Sequence, residues 1–255
     1  MGSLDPPGRS AKLPKEMTVF EWVDAQHRLL HDTHQQILGG VTDSTASRCL
    51  YLAHSLQKVC AKHPVGVLAA LQLNRNAEFQ LTKELFVAVL CELLAKEIGI
   101  AASARLYLIC AALTEDIAML ALQEEALDRQ ANPLTDAQKR QINRHPQHGK
   151  RLMQRAKIDQ KIWLTALEQH HEQPDGKGYP LGLQGNQIDQ SARILRVADS
   201  YVALVRPRGD RPALTPKEAL KEIFLHRGSH FDTLVARTLV SILGMYPPGT
   251  WVRLY

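Results

Sequence analysis

The chain has 255 residues, 45% of them hydrophobic, and its 31 basic and 26 acidic side chains give a formal net charge of +5. This size and apolar content exclude a chain that is disordered throughout, and the basic excess, which forms no long block, permits an anionic ligand but indicates no DNA partner. No apolar run reaches the roughly 20 residues that a membrane span needs, so we expect no membrane partner and a cytoplasmic location.

Apolar residues recur at spacings of three and four along most of the chain, a pattern that predicts α-helices rather than strands. Residues 1–16 lack this pattern and are interpreted as a flexible leader. Residues 17–75 are interpreted as an N-terminal helical region that contains MTVFEWVDAQHRLLHDTHQQIL and SRCLYLAHSLQKVCAKH. In the first of these segments, His27, His31 and His34 have i, i+4, i+7 spacing, which fits either a metal-binding face or an ordinary polar face of a helix.

Residues 76–255 are interpreted as a second, larger helical domain. Its predicted helices cover residues 81–99, 104–127, 138–156, 161–171, 191–205, 215–227 and 232–246. Gly99 is the predicted C-cap of the first of these helices, and Thr135 is the predicted N-cap of the third. The four cysteines show no CxxC spacing, which favours reduced core residues over disulfides or a zinc site. The sequence therefore predicts an all-α protein.

The stretch HHEQPDGKGYP, residues 170–180, places two histidines directly before a turn rich in glycine and proline. Adjacent positions within a helix point about 100° apart, so His170 and His171 could not bind one ligand from the middle of a helix. At a helix end the backbone can bend, and the two prolines and two glycines that follow are typical of such an end. We therefore expect the helix to stop here.

Four segments resemble, in their order and spacing, the HD-GYP branch of the HD metal-dependent phosphohydrolases. They are TEDIAM (114–119), INRHPQHG (142–149), HHEQPDGKGYP (170–180) and LRVADSYVAL (195–204). The likeness runs from about residue 79 to the C-terminus and implies an HD-type helical bundle, with the N-terminal helices as an addition. It also implies two or three divalent ions, with iron or manganese favoured, that activate a water to cut cyclic di-GMP to pGpG and sometimes GMP.

The resemblance assigns one set of residues to the metal centre. Asp116 falls on the aspartate that usually bridges two ions, and it is also a predicted catalytic residue. The other predicted metal ligands are His145, His170, His171 and Asp199. Glu172 is expected to orient one of the histidines rather than to bind metal.

Three positions depart from the family pattern. Glu115 stands in place of the histidine of the HD dyad, Met119 in place of a lysine near the scissile phosphate, and Lys83 in place of an upstream metal-binding histidine. An ammonium has no lone pair and repels a cation, so Lys83 removes one ligand bond. Two hypotheses remain for Lys83: a stand-in for the lost ion that offsets the repulsion among carboxylates, or a solvated surface lysine.

The remaining ligands, Asp116, His145, His170 and His171, could still hold one ion instead of two. Three imidazoles and a carboxylate suit iron or manganese, and zinc or nickel are possible alternatives. Two-metal hydrolysis needs one ion to generate hydroxide and both ions to clamp the attacking and leaving oxygens. We therefore expect a weakened enzyme, unless Glu115 replaces the missing histidine as a ligand and catalytic group.

Residues outside the metal centre are assigned to substrate and partners by the same resemblance. Arg208 and Arg211 fall on basic residues that contact the dinucleotide phosphates, although an exposed charged loop explains them too. The turn shapes the entrance and offers a surface to partner proteins, notably diguanylate cyclases; its residues are Gly176, Gly178, Tyr179 and Pro180. Tyr179 is expected to contact substrate, or simply to pack on the turn.

Three functional hypotheses follow. The first is a regulatory HD-GYP protein of cyclic di-GMP signalling that binds cyclic di-GMP or a related dinucleotide, or a partner protein, with little or no hydrolysis. The second is an active phosphodiesterase that uses Glu115 as a substitute ligand. The third is a purely structural interaction module that binds neither metal nor nucleotide.

Overall fold

A computed structural model describes residues 17–40, 43–73, 79–120, 135–207 and 212–251. Within these ranges the chain forms ten α-helices and no β-strand, so the all-α prediction is confirmed. The helices are α1 (Val19–Leu38), α2 (Thr45–Lys62), α3 (Pro64–Leu73), α4 (Phe79–Glu97), α5 (Ala102–Ala112), α6 (Asp136–Arg155), α7 (Lys161–Gln169), α8 (Gln190–Leu204), α9 (Pro216–Leu225) and α10 (Thr233–Leu243). None of these helices combines the length and the apolar character that crossing a membrane requires.

The ends of several helices follow from local sequence signals. Thr135 forms a capping box with Gln138 at the start of α6, as predicted, and the same arrangement starts α1 at Thr18 and α9 at Thr215. Gly99 ends α4 with a φ of 89°, and the amide of Ile100 donates to the carbonyl of Ala95 at 2.9 Å. This is a Schellman arrangement, in which glycine tolerates the left-handed backbone, so the predicted C-cap is confirmed.

Helix α3 was not predicted from the sequence. Its ten residues, PVGVLAALQL, are apolar almost all round, so they show no helical periodicity. Pro64 opens the helix, where its fixed φ and missing amide proton suit the first position. Val67, Leu68, Ala70 and Leu71 are buried, which makes α3 part of the core.

The predicted helix over residues 104–127 is interrupted. Helix α5 ends at Ala112, and residues 113–119 form a series of turns. In a continuing helix the amide of Ile117 would donate to the carbonyl of Leu113, but it donates to the carbonyl of Thr114 instead, at 3.3 Å. The carbonyl of Leu113 is held by Nε2 of His34, at 2.7 Å. A contact from α1 therefore accompanies the break that turns residues 115 and 116 away from the helix axis.

Helix α4 lies at the centre of the bundle, packed against α5 on one side and α8 on another. One continuous core contains residues from α1, α2 and α3 as well as from the helices that follow, and it includes all four cysteines, which are buried and free as predicted. The N-terminal helices thus share their hydrophobic core with the rest of the chain. The predicted boundary near residue 75 stays a prediction.

Two of the three spaced histidines on α1 point inward rather than to a polar face. His27 and His34 are buried, and Nε2 of His34 also lies 3.4 Å from the carboxylate of Glu84 on α4. Among the residues that the structure describes, His27, His31 and His34 do not form a group of metal ligands. Burial lowers the pKa of His34 to about 4, so the ring is neutral at physiological pH and donates its Nε2 proton to Leu113.

Lowering the pH is expected to destabilise the fold in part through His34. Its pKa falls from the ordinary value of 6.5 to about 4 on folding, so between these values the unfolded chain binds a proton that the folded chain does not. This contribution to stability is fully present above pH 6.5 and is lost as the pH falls toward 4. The shift corresponds to about 3 kcal/mol in the free energy of unfolding.

Urea denaturation between pH 6.5 and about 4 measures this effect. His34→Gln keeps a donor for the Leu113 carbonyl but cannot titrate, so its free energy of unfolding is expected to fall less steeply with pH than that of the unmodified protein. His226→Gln, at a partly exposed histidine, serves as the control and should keep the original slope. An unchanged slope in His34→Gln would contradict the prediction.

Candidate metal centre

Four side chains from three separate segments converge at one point. Asp116 comes from the turns after α5, His145 from the middle of α6, and His170 and His171 follow the end of α7. Each offers one ligand atom, and these atoms all lie within 4.8 Å of one another. Helix α7 ends at Gln169 with His170 as its C-cap, and the ring centroids of the two adjacent histidines lie 4.1 Å apart. The helix therefore ends before the glycine- and proline-rich turn, as expected, but two residues earlier than the predicted range of 161–171.

The hydrogen bonds of two histidines show that this group suits a metal ion. Nδ1 of His145 lies 2.6 Å from the carbonyl of Ile142, and Nδ1 of His170 lies 2.7 Å from the carbonyl of Leu167. A carbonyl oxygen only accepts, so each Nδ1 carries the proton and each neutral ring presents a lone pair at Nε2. These two Nε2 atoms face each other at 3.2 Å. Two opposed lone pairs at this distance call for a cation between them, and a backbone contact at Nδ1 is typical of metal-binding histidines.

The protonation of the histidines favours metal binding as well. Burial lowers the pKa of His170 to about 4, and it lowers the pKa of His145 and, strongly, that of His171. His145 and His170 are almost fully buried, at 3% and 0% exposure. Neutral imidazole is the form that binds a metal, so the centre is set up to receive an ion at neutral pH without first releasing protons from these rings.

Lys83 of α4 lies beside this group, among three carboxylates. Its Nζ lies 2.5 Å from Oδ2 of Asp116, 2.8 Å from Oδ1 of Asp199 and 3.3 Å from Oε1 of Glu115. All four side chains are buried, and the Lys83 residue is 7% exposed. A solvated surface lysine is therefore excluded. We call these four residues the Lys83 cluster.

The charges in the Lys83 cluster depend on one another. Burial opposes the ammonium, but Asp116, Asp199 and Glu115 together hold the pKa of Lys83 well above its usual range. Burial would raise the pKa of Asp116, yet Lys83, with His145 and His170, holds it below its ordinary value. Glu115 is different, because burial and the neighbouring aspartates raise its pKa well above the usual range in spite of Lys83. Glu115 therefore favours the protonated form, whereas Lys83 and Asp116 form a buried ion pair.

Two residues that were predicted for the metal centre lie next to Lys83 instead of within the group of four ligands. Asp199, on α8, and Glu115 both contact Lys83, and neither belongs to the group of four ligands. Asp116 joins the two sets, since its Oδ1 lies 3.4 Å from Nε2 of His145 while its Oδ2 contacts Lys83. The role of Asp199 as a metal ligand stays a prediction.

The turn after the histidines folds back over them. The amide of Tyr179 donates to the carbonyl of His171 at 3.3 Å, and the two rings contact each other with centroids 4.7 Å apart and an interplanar angle of 31°. Burial raises the pKa of Tyr179, so its hydroxyl stays protonated. A Cβ on Gly178 would lie 2.3 Å from the amide nitrogen of Gln173, and Gly176 has a φ of 79°. These two glycines have a structural reason to be present, whatever else the turn does.

Glu172 does not orient a histidine, contrary to expectation. Its carboxylate accepts hydrogen bonds from the backbone amides of Leu181 at 2.6 Å and Leu183 at 2.9 Å. Glu172 thus closes the turn that contains Tyr179 and Pro180. The cause is local, because the carboxylate lies at the base of a tight loop whose amides need an acceptor. Sequence spacing gave no sign of this, since the partners depend on the path of the loop.

Other residues complete the surroundings of the centre. The predicted phosphate contacts Arg208 and Arg211 lie outside the described residues. Met119 is buried, at 4% exposure.

Sequence reasoning did not single out Trp163, whose Nε1 donates to Oγ1 of Thr114 at 2.9 Å and so fixes the segment that carries Asp116. It also did not single out Arg196, which lies on α8 three residues before Asp199. This i, i+3 spacing places both side chains on one face of the helix, and it could have indicated Arg196.

Comparisons with known proteins agree with this geometry. A family model described as HD domain matches residues 54–235. The chain is 31% identical over 193 residues to a cyclic di-GMP phosphodiesterase of Pseudomonas aeruginosa, covering 76% of this chain and 46% of that protein. It is also 31% identical over 156 residues to 3'3'-cGAMP-specific phosphodiesterase 1 of Vibrio cholerae, covering 61% of this chain and 36% of that protein. The chain thus spans less than half the length of these two relatives.

A solved structure shows the same fold. It is that of an HDG"Y"P protein from Bdellovibrio bacteriovorus, which superposes with a TM-score of 0.71 at 17% sequence identity. The superposition covers 91% of this chain and 74% of that one.

Proposed function

The chain belongs to the HD domain family, in its HD-GYP branch, and from this membership we propose that it binds cyclic di-GMP or a related dinucleotide at a centre with one divalent ion, with little or no hydrolysis. The relatives named for cyclic di-GMP and for 3'3'-cGAMP support a dinucleotide ligand.

The position of Lys83 is the observation that carries the proposal. Its ammonium lies within 3.3 Å of Asp116, Asp199 and Glu115, the carboxylates that would have to bind a second ion. A cation already fills that space, and a second positive charge there would be repelled. Hydrolysis by two ions requires both of them to clamp the attacking and leaving oxygens, so a single ion supports binding better than turnover.

Asp116, His145, His170 and His171 are the residues that would hold the one ion. Their three nitrogen donors and one carboxylate suit iron or manganese, with zinc or nickel as alternatives. A divalent ion bound there would polarise a phosphoryl oxygen of the ligand. The four side chains would fix that position, and the ring of Tyr179 in the turn contacts the ring of His171.

The two rival hypotheses have less support. An active enzyme with Glu115 as a ligand would need this carboxylate ionised and directed at the four-ligand group, but Glu115 contacts Lys83 and favours its protonated form. A module without any ligand leaves the opposed lone pairs of His145 and His170 unexplained.

We also propose that the turn containing Gly176, Gly178, Tyr179 and Pro180 offers a surface to a signalling protein such as a diguanylate cyclase; the adjacent Leu181 is 48% exposed.

Metal analysis and a turnover assay together test the proposal. Protein purified without chelator is expected to contain about one transition-metal ion per chain by mass spectrometry, to bind cyclic di-GMP in calorimetry, and to form almost no pGpG with iron or manganese. Two ions per chain with rapid pGpG formation, abolished in His170→Ala, would establish the phosphodiesterase instead. Absence of both metal and nucleotide binding would favour the structural module.

A further inference from the structure

Arg196 lies beside the metal centre and has no role in the mechanism described above. It is on α8, one turn before Asp199, and its Nε donates to the carbonyl of His230 at 2.9 Å. The guanidinium lies 5.5 Å from the centre of the Phe231 ring. These two contacts fix the direction of the side chain, and among the residues that the structure describes its two outer nitrogens have no hydrogen-bond acceptor. The residue before His230 also contacts the turn that follows the histidines, because the amide of Asp175 donates to the carbonyl of Ser229 at 3.0 Å, so Arg196 and this turn lie against the same loop.

The nearby carboxylates do not neutralise this arginine. In the part of the chain that the structure describes, Arg196 forms no ion pair. The carboxylate of Glu172 accepts from two backbone amides, that of Asp175 accepts from the amide of Lys177, and that of Asp199 contacts Lys83. A partly buried guanidinium without a carboxylate partner is an anion-binding group, because its planar fork matches two oxygens of a phosphate.

The balance of charge around the centre points the same way. The Lys83 cluster combines one lysine with three carboxylates, whose oxygens lie within 3.3 Å of the ammonium. Arg196, Lys83 and a divalent ion in the four-ligand group would together supply four positive charges, against at most three negative charges from the carboxylates of the Lys83 cluster. The space between the histidines and α8 is therefore positive overall once an ion is bound, which suits a phosphodiester and not a neutral or cationic ligand.

We propose that Arg196 is a substrate-binding residue that holds a non-bridging phosphate oxygen of the dinucleotide beside the metal centre. The assignment rests on the proposed function for the identity of the ligand, but not for the existence of the anion site. Arg196 also supplies a positive charge near this phosphate. In the family pattern a lysine at the position of Met119 supplies such a charge, and methionine carries none. Because Arg196 is held by His230 and Phe231 rather than by the four metal ligands, its removal leaves the metal site intact.

Calorimetry on manganese-loaded protein tests the proposal, with cyclic di-GMP as the first probe. Arg196→Met is expected to weaken binding by about 10- to 100-fold, the effect of losing a charged hydrogen-bond pair, and to reduce the salt dependence of the affinity. Arg196→Lys should recover part of the loss. Arg227→Met is the matched control, because Arg227, in the loop that carries His230 and Phe231, also contacts a backbone carbonyl and a ring, those of Phe224, at 2.6 Å and 3.9 Å. It should keep the original affinity within about twofold.

Metal content and melting temperature exclude an indirect effect. Arg196→Met should retain the manganese content of the unmodified protein and melt at the temperature of Arg227→Met, whereas a merely structural role would lower melting without changing the salt dependence. Equal affinity in Arg196→Met and the unmodified protein would overturn the proposal.

If the unmodified protein fails to bind cyclic di-GMP, the proposed function fails, and inorganic phosphate then tests the anion site alone. Phosphate binding that disappears in Arg196→Met supports the site. Phosphate binding that persists in Arg196→Met, or that is absent from the unmodified protein, overturns it.

Discussion

Replacing Lys83 by alanine is expected to lower the free energy of unfolding of the metal-free protein by about 3–5 kcal/mol, as for other buried ion pairs that lose one partner. The change removes the cation that lies 2.5 Å from Asp116 and 2.8 Å from Asp199. Their carboxylates would then repel each other in a buried space, with Glu115 adding to the strain if it ionises. Urea denaturation, followed by circular dichroism, measures the loss.

Divalent metal provides a second measurement on the same variant. Once the ammonium is absent, the three carboxylates are expected to accept an ion in its place, so manganese should restore much of the lost stability and raise the metal content above that of the unmodified protein. Lys157→Ala is the control, because Lys157 and Asp43 form an exposed pair at 3.2 Å, and its loss should cost less than about 1 kcal/mol. A Lys83→Ala protein as stable as Lys157→Ala, with unchanged metal content, would contradict our account of the Lys83 cluster.

Replacing His170 by alanine is expected to weaken metal binding by at least about 100-fold, beyond the 10- to 100-fold typical of residues that only support a ligand. His170 is fully buried, its Nδ1 is fixed by the carbonyl of Leu167, and its Nε2 is one of the two lone pairs that face each other. Alanine removes one of four donors and leaves no neighbour that can replace it from the same backbone position. Competition with a fluorescent chelator gives the affinity.

The matched control for His170 is His226, a partly exposed histidine stacked on His230 with centroids 4.9 Å apart. His226→Ala should bind metal as the unmodified protein does. Equal metal affinity in His170→Ala and His226→Ala would show that the ion, if bound at all, lies elsewhere. The two variants also separate a specific site from general binding of transition metals by surface histidines.

The parts of the site that the sequence predicted are those encoded by local signals. The helix end before His170 follows from the prolines and glycines of the turn, and the capping residue Thr135 starts the helix that carries His145. When these helices are arranged as in the family, the segments that carry His145 and His170 come together. Lys83 was connected to the carboxylates only through the resemblance and a charge argument, because nothing near residue 83 reveals what lies across the bundle.

The parts that the sequence did not predict depend on contacts between distant segments. The interruption of α5 at Ala112 involves His34, 79 residues from its partner Leu113, so helical periodicity continued through a stretch that is not helical. The role of Glu172 depends on amides that approach it only after the turn has folded. Helix α3 was missed for the opposite reason, because burial on all sides removes the periodic signal.

The positive charge of Lys83 is part of the polypeptide itself, so it is always present beside the three carboxylates of the Lys83 cluster. A shortage of metal or a chelator would leave the neighbouring histidines without an ion, but neither can remove the charge that Lys83 carries at 2.5 Å from Asp116. We therefore expect the acidic half of the centre to keep its shape when the imidazole half is empty. Loss of metal would then disturb only one half of the centre, whereas a centre built from metal ligands alone loses its shape together with its ions.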